Sequence, residues 1–224
     1  MSNLTNLELV VSHFIIQPHE RLTTPAFNEL LPDYARLQET VKASGVKVDH
    51  IERNRNLSVE GKQKSSATMA NEDISHYAFI GGQRTKNAER IRNLQATNYG
   101  FLNLPQEDDP TKALIRELRA GEIRGRHHNA ENRDAVFLNA LEQGKLELAH
   151  AILNAPGGSW VSSDIRQRGA EVYAQRNTPK EYAALQDALT VREHLDMLAE
   201  SVRLAFATLG GDPEKIAKAL KVQV

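Results

Sequence analysis

The chain has 224 residues, a mass of 25.0 kDa and a formal net charge of −1, from 28 basic and 29 acidic residues. With this balance, no overall field would draw it to nucleic acid or to an anionic membrane. Cysteine is absent, which excludes disulfides, thiolate zinc sites, iron–sulfur clusters and a cysteine nucleophile.

The first patterned segment is an apolar run over residues 7–16, just before Pro18. It is short and rich in β-branched residues, so we interpret it as a strand or an extended arm, with a helix as the alternative. It lacks the basic start and small-residue cleavage site of a signal peptide. No stretch approaches the roughly 18 apolar residues needed to span a bilayer. We therefore expect a cytoplasmic protein with no membrane partner.

Four predicted helix starts share one signal, a capping residue followed directly by proline. The Thr or Asp side chain accepts hydrogen bonds from first-turn amides, while proline has a helical φ and no amide to satisfy. One of the four also has the glutamate of a capping box, Glu181. The predicted starts are Thr24-Pro25, Asp109-Pro110, Thr178-Pro179 and Asp212-Pro213.

The helix from Thr24 is expected to run toward Gly45, with a restart or kink at Pro32. Residues 46–82 are polar and show no sustained period, so we interpret them as a long loop or arm ordered only against a partner. Two regions follow from this interpretation. Residues 1–83 would hold the strand or arm, one helix and the long polar loop, and residues 84–224 would form a helical body.

Within the helical body, short helices are predicted over residues 84–98, from Pro110, from a cap at Asn129 and from a cap at Ser163. Gly144 lies between two apolar stripes, which suits a turn between antiparallel helices. A continuous helix through this glycine is the rival interpretation. The helix from Pro110 is expected to carry three apolar residues on one face: Leu114, Ile115 and Leu118.

The strongest helix prediction covers residues 179–209, where apolar residues recur mostly every three or four positions. We expect its buried face to carry Leu189, Leu195, Leu198 and Val202. We expect its mostly exposed positions to be Arg192, Glu193, Glu200 and Arg203. The predicted fold class is all-α, an irregular helical bundle with this one long C-terminal helix and an extended N-terminal arm.

No catalytic, cofactor or metal site is predicted. The eight histidines do not form the paired spacing of a helical metal site, so solvated or locally bonded histidines are favoured. In residues 79–86 a glycine pair precedes a predicted helix, an arrangement that can attract an anion. The spacing is not that of a P-loop, and a glycine-initiated turn is favoured. Ser159 has no evident base, so we interpret its segment as a loop whose Trp160 fills the core.

One group of basic residues could contact phosphates. Glutamates interleave with it, and no aromatic residues stand ready to stack on bases, so a solvated or salt-bridging face is the favoured interpretation. Nucleic-acid contact is the alternative. The candidate contact residues are Arg116, Arg119, Arg124, Arg126 and Arg133, with His127 and His128 beside them.

The order of features over residues 131–209 supports a resemblance. The segment Phe137-Leu-Asn-Ala-Leu-Glu-Gln-Gly-Lys-Leu-Glu-Leu-Ala-His-Ala-Ile-Leu-Asn-Ala-Pro156 is followed by a linker, Tyr182-Ala-Ala-Leu and the long helix. This order resembles uncharacterised helical proteins encoded among the structural genes of tailed bacteriophages and prophages. The resemblance implies a virion component and transfers no catalytic residues.

The functional expectation is therefore a non-enzymatic structural, assembly or interaction protein, with a bacteriophage particle as its specific setting. It would belong to a homo- or hetero-oligomeric assembly of protein partners, in the host cytoplasm or the virion, and would need no cofactor. The alternative is a nucleic-acid-associated accessory protein that uses the basic residues between Arg116 and Arg133.

Overall fold

A computed structural model describes residues 24–103, 108–127, 132–156 and 158–222. These residues form nine α-helices and two short 3₁₀ turns, Ile74–Tyr77 and Gly100–Leu102, and contain no strand. The all-α prediction is confirmed, whereas the predicted N-terminal strand or arm lies outside the described residues. The helices are α1 Thr24–Arg53, α2 Val59–Asp73, α3 Ala78–Tyr99, α4 Pro110–His127, α5 Arg133–Glu142, α6 Leu146–Leu153, α7 Ser163–Asn177, α8 Pro179–Thr208 and α9 Pro213–Leu220.

The capping-residue and proline signals mark helix starts as predicted. Helices α1, α4, α8 and α9 begin at these four sites. At two of them the aspartate caps the helix: Asp109 Oδ1 accepts from the Thr111 amide at 2.9 Å, and Asp212 Oδ1 accepts from the Glu214 amide at 2.9 Å. Thr178 differs, because its hydroxyl lies 3.0 Å from Asn98 Oδ1 and 3.1 Å from the Ala174 carbonyl oxygen.

The prediction of a long loop over residues 46–82 is wrong. Helix α1 continues through Gly45 to Arg53, and α2, a 3₁₀ turn and the start of α3 occupy most of the remainder. The physical reason is burial: Val48, Met69, Ile74, Tyr77 and Ile80 are all at most 7% exposed. Burial of an apolar face outweighs the cost of about 1 kcal/mol for a glycine inside a helix.

The chain divides into two compact units. One comprises Met1–Ile91 and Asp187–Val224, and the other comprises Arg92–Gln186. The predicted division after residue 83 falls inside helix α3.

The core of the first unit is built from apolar residues of α1, α2, α3, α8 and α9. Tyr77 and Phe206 meet in it edge to face, with ring centroids 4.9 Å apart. Leu195, Leu198 and Val202 are buried as predicted, while Leu189 is only partly buried. Arg192, Glu193 and Glu200 are exposed as predicted, and Arg203 is half-buried.

The core of the second unit comes from α5, α6 and α7, together with Leu102 and Val161. Gly144 has a φ of +69° between α5 and α6, so the predicted turn is confirmed and the continuous helix is wrong. The cap of α5 is Asn132, whose side chain accepts from the Ala135 amide at 3.0 Å, whereas the predicted cap, Asn129, lies outside the described residues. Helix α7 is capped by Ser162, one residue before the predicted Ser163.

Candidate interaction surface on helix α4

Helix α4 directs its three largest exposed apolar side chains, Leu114, Ile115 and Leu118, outward. Leu114, Ile115 and Leu118 are 61%, 47% and 63% exposed. At 100° per residue, Leu114 and Ile115 lie on either side of Leu118, so the three share one face as predicted. The residues described in the two apolar cores all come from other elements. Helix α4 packs against α6 within the second unit, yet these three apolar side chains remain in contact with solvent.

Two glycines continue the same face toward the end of the helix. Gly121 and Gly125 are exposed, and a Cβ added at either position would meet no atom within 4 Å. Together with Leu114, Ile115 and Leu118 they form what we call the outer face of α4. The absence of side chains at these two positions leaves the backbone open to close approach by another chain.

Three cations line one side of the outer face. Lys112, Arg119 and Arg126 are seven residues apart, so they follow one line along the helix, and all three are exposed. We call them the basic edge. Lys112 lies 4.0 Å from Asp109, and Arg126 lies 3.9 Å from Glu122. Such exposed pairs contribute little to stability, which leaves these cations available to other anions.

The structure does not bring the predicted basic residues together on one surface. Arg124 is buried, and its guanidinium forms an ion pair with Glu117. The Arg133 guanidinium stacks on Trp160, with its central carbon 4.4 Å from the ring centroid. Arg116 is half-buried. Of the five predicted arginines, Arg119 and Arg126 alone share an exposed edge, which Lys112 extends. Lys112 is not among the predicted contact residues.

The predicted glycine-initiated turn near residues 79–86 is wrong, because Gly81 and Gly82 lie inside helix α3. The less favoured alternative, an anion site at a helix start after this glycine pair, has no helix start at that position. Gly81 instead allows α9 to pack closely, since a Cβ there would come 2.5 Å from the Ala219 carbonyl oxygen. Arg84 donates to the carbonyl oxygens of Leu220 and Lys221 at 2.8 and 2.7 Å and to Asp196 at 2.9 Å. The arginine therefore satisfies the C-terminal carbonyls of α9.

The most buried polar cluster lies in the core of the first unit. Asp73 accepts hydrogen bonds from the Ser44 hydroxyl at 2.9 Å and from Lys47 Nζ at 2.5 Å. Tyr77 donates to the Ser44 hydroxyl at 3.2 Å. Burial raises the pKa of Tyr77 to about 12. Because Ser44, Asp73 and Tyr77 are all at most 2% exposed, we interpret the cluster as a structural link between helices.

Other predicted positions have local roles. His150 Nε2 lies 2.5 Å from the Phe101 carbonyl oxygen, and Ser159 bonds with the backbone of Val161. Trp160 packs against the core of the second unit and stays partly exposed. No group of three His, Asp or Glu residues suited to a metal ion occurs among the described residues. His13, His19 and His128 lie outside them.

The described residues of the first unit include two of its open depressions. One, of about 280 Å³, is lined by Arg84, Thr85, Arg192, Asp196 and Lys221 among others. The other, of about 220 Å³, includes Glu29, Lys86 and Arg90. Their charged groups are largely paired within the fold, as Arg84 is with Asp196 and Arg90 is with Glu29. The outer face of α4 is therefore the stronger candidate for a functional surface.

Within the part of the chain that the structure describes, none of the helices combines the length and apolar character needed to cross a membrane. Comparisons of the chain with protein-family models, with curated proteins and with solved structures found no match.

Proposed function

We propose that this chain is a non-enzymatic assembly protein that binds a protein partner through the outer face of α4. The observation that supports this function is the exposure of Leu114, Ile115 and Leu118 side by side on one helix. Single exposed leucines are ordinary on protein surfaces, whereas clustered ones are typical of interaction sites.

The test is the mass of the native complex isolated from the cells that produce the chain. A double variant, Leu114→Ser with Leu118→Ser, should shift the chain from a larger complex toward its monomer mass of 25.0 kDa. Leu204→Ser is the matched control, because Leu204 is a single exposed leucine on α8, 51% exposed. A chain that is monomeric without any substitution, or a complex that survives the double variant, would overturn the proposal.

We further propose that the assembly is a bacteriophage particle, present first in the host cytoplasm and then in the virion. The support is the resemblance of residues 131–209 to helical proteins encoded among phage structural genes. Mass spectrometry of particles purified from the producing cells should find the chain in a fixed ratio to the major structural proteins. Its absence from purified particles would remove this setting and leave the assembly role to be tested by itself.

The nucleic-acid alternative has less support. Of its five arginines, Arg124 is buried against Glu117 and Arg133 is stacked on Trp160. Salt-dependent DNA or RNA binding that is lost on Arg119→Glu with Arg126→Glu would favour this alternative over protein assembly.

A further inference from the structure

We infer that the partner of the outer face of α4 is an acidic amphipathic helix. Its apolar side chains would cover Leu114, Ile115 and Leu118, and its carboxylates would meet the basic edge of Lys112, Arg119 and Arg126. This inference rests on the proposed function and adds the chemistry of the partner to it.

The shape of the outer face suits a helix. The leucines are at one end and the bare backbone of Gly121 and Gly125 is at the other. A partner helix can therefore place small residues over Leu114 and Leu118 and large apolar residues over the glycines, where nothing lies within 4 Å of an added Cβ. Small residues on one helix allow the close approach of another.

The positive charge along the basic edge favours a partner helix with acidic residues beside its apolar stripe. The basic edge lies about 100° around the helix from Leu118, where flanking charges meet those of a packed helix. Two carboxylates lie beside these three cations, Asp109 near Lys112 and Glu122 near Arg126. Glu117 flanks the opposite side, and its carboxylate is held by Arg124. Carboxylates on the partner would therefore meet a net positive edge.

A second copy of α4 fits this face less well. In an antiparallel pair the two basic edges would lie against each other, so that Arg119 would face Arg119 of the other copy. In a parallel pair the basic edge would meet the side of Glu117, which is already engaged with Arg124. Like charges across an interface disfavour association.

The experiment titrates the full chain with two synthetic helical peptides of about three heptads each. Both carry the same apolar stripe, and the flanking positions are all Glu in one and all Lys in the other. Calorimetry at low salt should show the Glu peptide binding at least about tenfold more tightly than the Lys peptide. The preference should shrink as salt is added, because exposed charges are screened.

Two double variants and one control variant separate the contributions of charge and shape. Arg119→Glu with Arg126→Glu should reverse the preference between the peptides. Arg192→Glu, at an exposed cation on α8, should leave the preference unchanged. Leu114→Ser with Leu118→Ser should weaken both peptides. Thermal unfolding of each variant checks that the fold is retained, which is expected because all four substituted α4 residues are exposed.

Several results would overturn the inference. One such result is equal affinity for the two peptides. Another is a preference for the Glu peptide that does not change in the Arg119→Glu, Arg126→Glu variant. Self-association through Leu118 without peptide binding would identify a second copy as the partner. Tighter binding to DNA, or to vesicles containing phosphatidylserine, with the same arginine dependence would also refute an acidic helix. If the leucine double variant disrupts the native complex while neither peptide binds, this inference fails and the proposed assembly role stands.

Discussion

At the scale of single residues, the buried cluster of Tyr77, Ser44 and Asp73 links stability to pH. The phenol of Tyr77 is fully buried and hydrogen-bonded to Ser44. Burial raises its pKa to about 12, from an ordinary value of 10.0. The raised pKa means that folding favours the neutral phenol. This contribution to stability is fully present below pH 10.0 and is lost as pH rises toward 12.

Tyr77→Phe tests this linkage. Near neutral pH the variant should lose about 1 kcal/mol, because the hydrogen bond to Ser44 is removed. Between about pH 10 and 12 its free energy of unfolding should fall less steeply than that of the unmodified chain, because one buried phenol no longer ionises. Urea unfolding across this range measures both effects. Parallel curves for the two proteins would show that Tyr77 does not carry the alkaline dependence.

At the scale of helices, two neighbouring glycines in α3 should respond oppositely to alanine. Gly81→Ala would place a Cβ 2.5 Å from the Ala219 carbonyl oxygen, so α9 must move, at a cost of about 1–3 kcal/mol. Gly82→Ala has open space within 4 Å and should gain roughly 0.5–1 kcal/mol of helix stability. Melting temperatures of the two variants check this pair. A Gly81→Ala variant as stable as Gly82→Ala would show that α9 does not pack at this distance.

Helix α8 offers a second comparison between a buried and an exposed position. Leu198 is 3% exposed in the core of the first unit, and Glu193 is exposed on the same helix. Leu198→Ala should cost about 2–5 kcal/mol, because it leaves a cavity. Glu193→Ala should change stability little. Chemical denaturation of both variants measures the difference in stability. Equal denaturation midpoints would mean that the buried face of α8 is assigned wrongly.

The helix starts could be predicted because capping is local chemistry: Asp109 and Asp212 bond amides two residues ahead. The helices over residues 46–82 could not, because their buried face includes Ser66 and Asp73 beside Met69 and Ile74. These buried polar residues interrupt the three-to-four-residue spacing of apolar residues that predicts a helix. Partners remote in sequence satisfy Asp73, and a local pattern does not show them.

The candidate surface was predictable in part. The spacing of Leu114, Ile115 and Leu118 indicates one face, but only packing decides whether that face points to a core or to solvent. The direction of Arg124 depends on burial beside Glu117, which sequence order does not determine. The basic edge could have been predicted from the sequence, because Lys112, Arg119 and Arg126 are seven residues apart on a predicted helix.

At the scale of the whole molecule, the two compact units keep their own apolar cores, while α4 turns its leucines to solvent. Because the buried cores stabilise the fold, substitution of the exposed leucines of α4 should not unfold the chain. We therefore expect Leu114→Ser with Leu118→Ser to change the free energy of unfolding of the isolated chain by no more than about 0.5 kcal/mol. A large loss would indicate that these side chains support the fold.

The most direct test of the assembly surface is amide hydrogen exchange of the chain, measured alone and in its native complex. Exchange over the outer face of α4, from Leu114 to Gly125, should slow clearly in the complex, because a partner covers this backbone. The exposed side of α8 around Leu204 should exchange at the same rate in both states. Unchanged exchange over α4, with protection elsewhere on the molecule, would contradict the account.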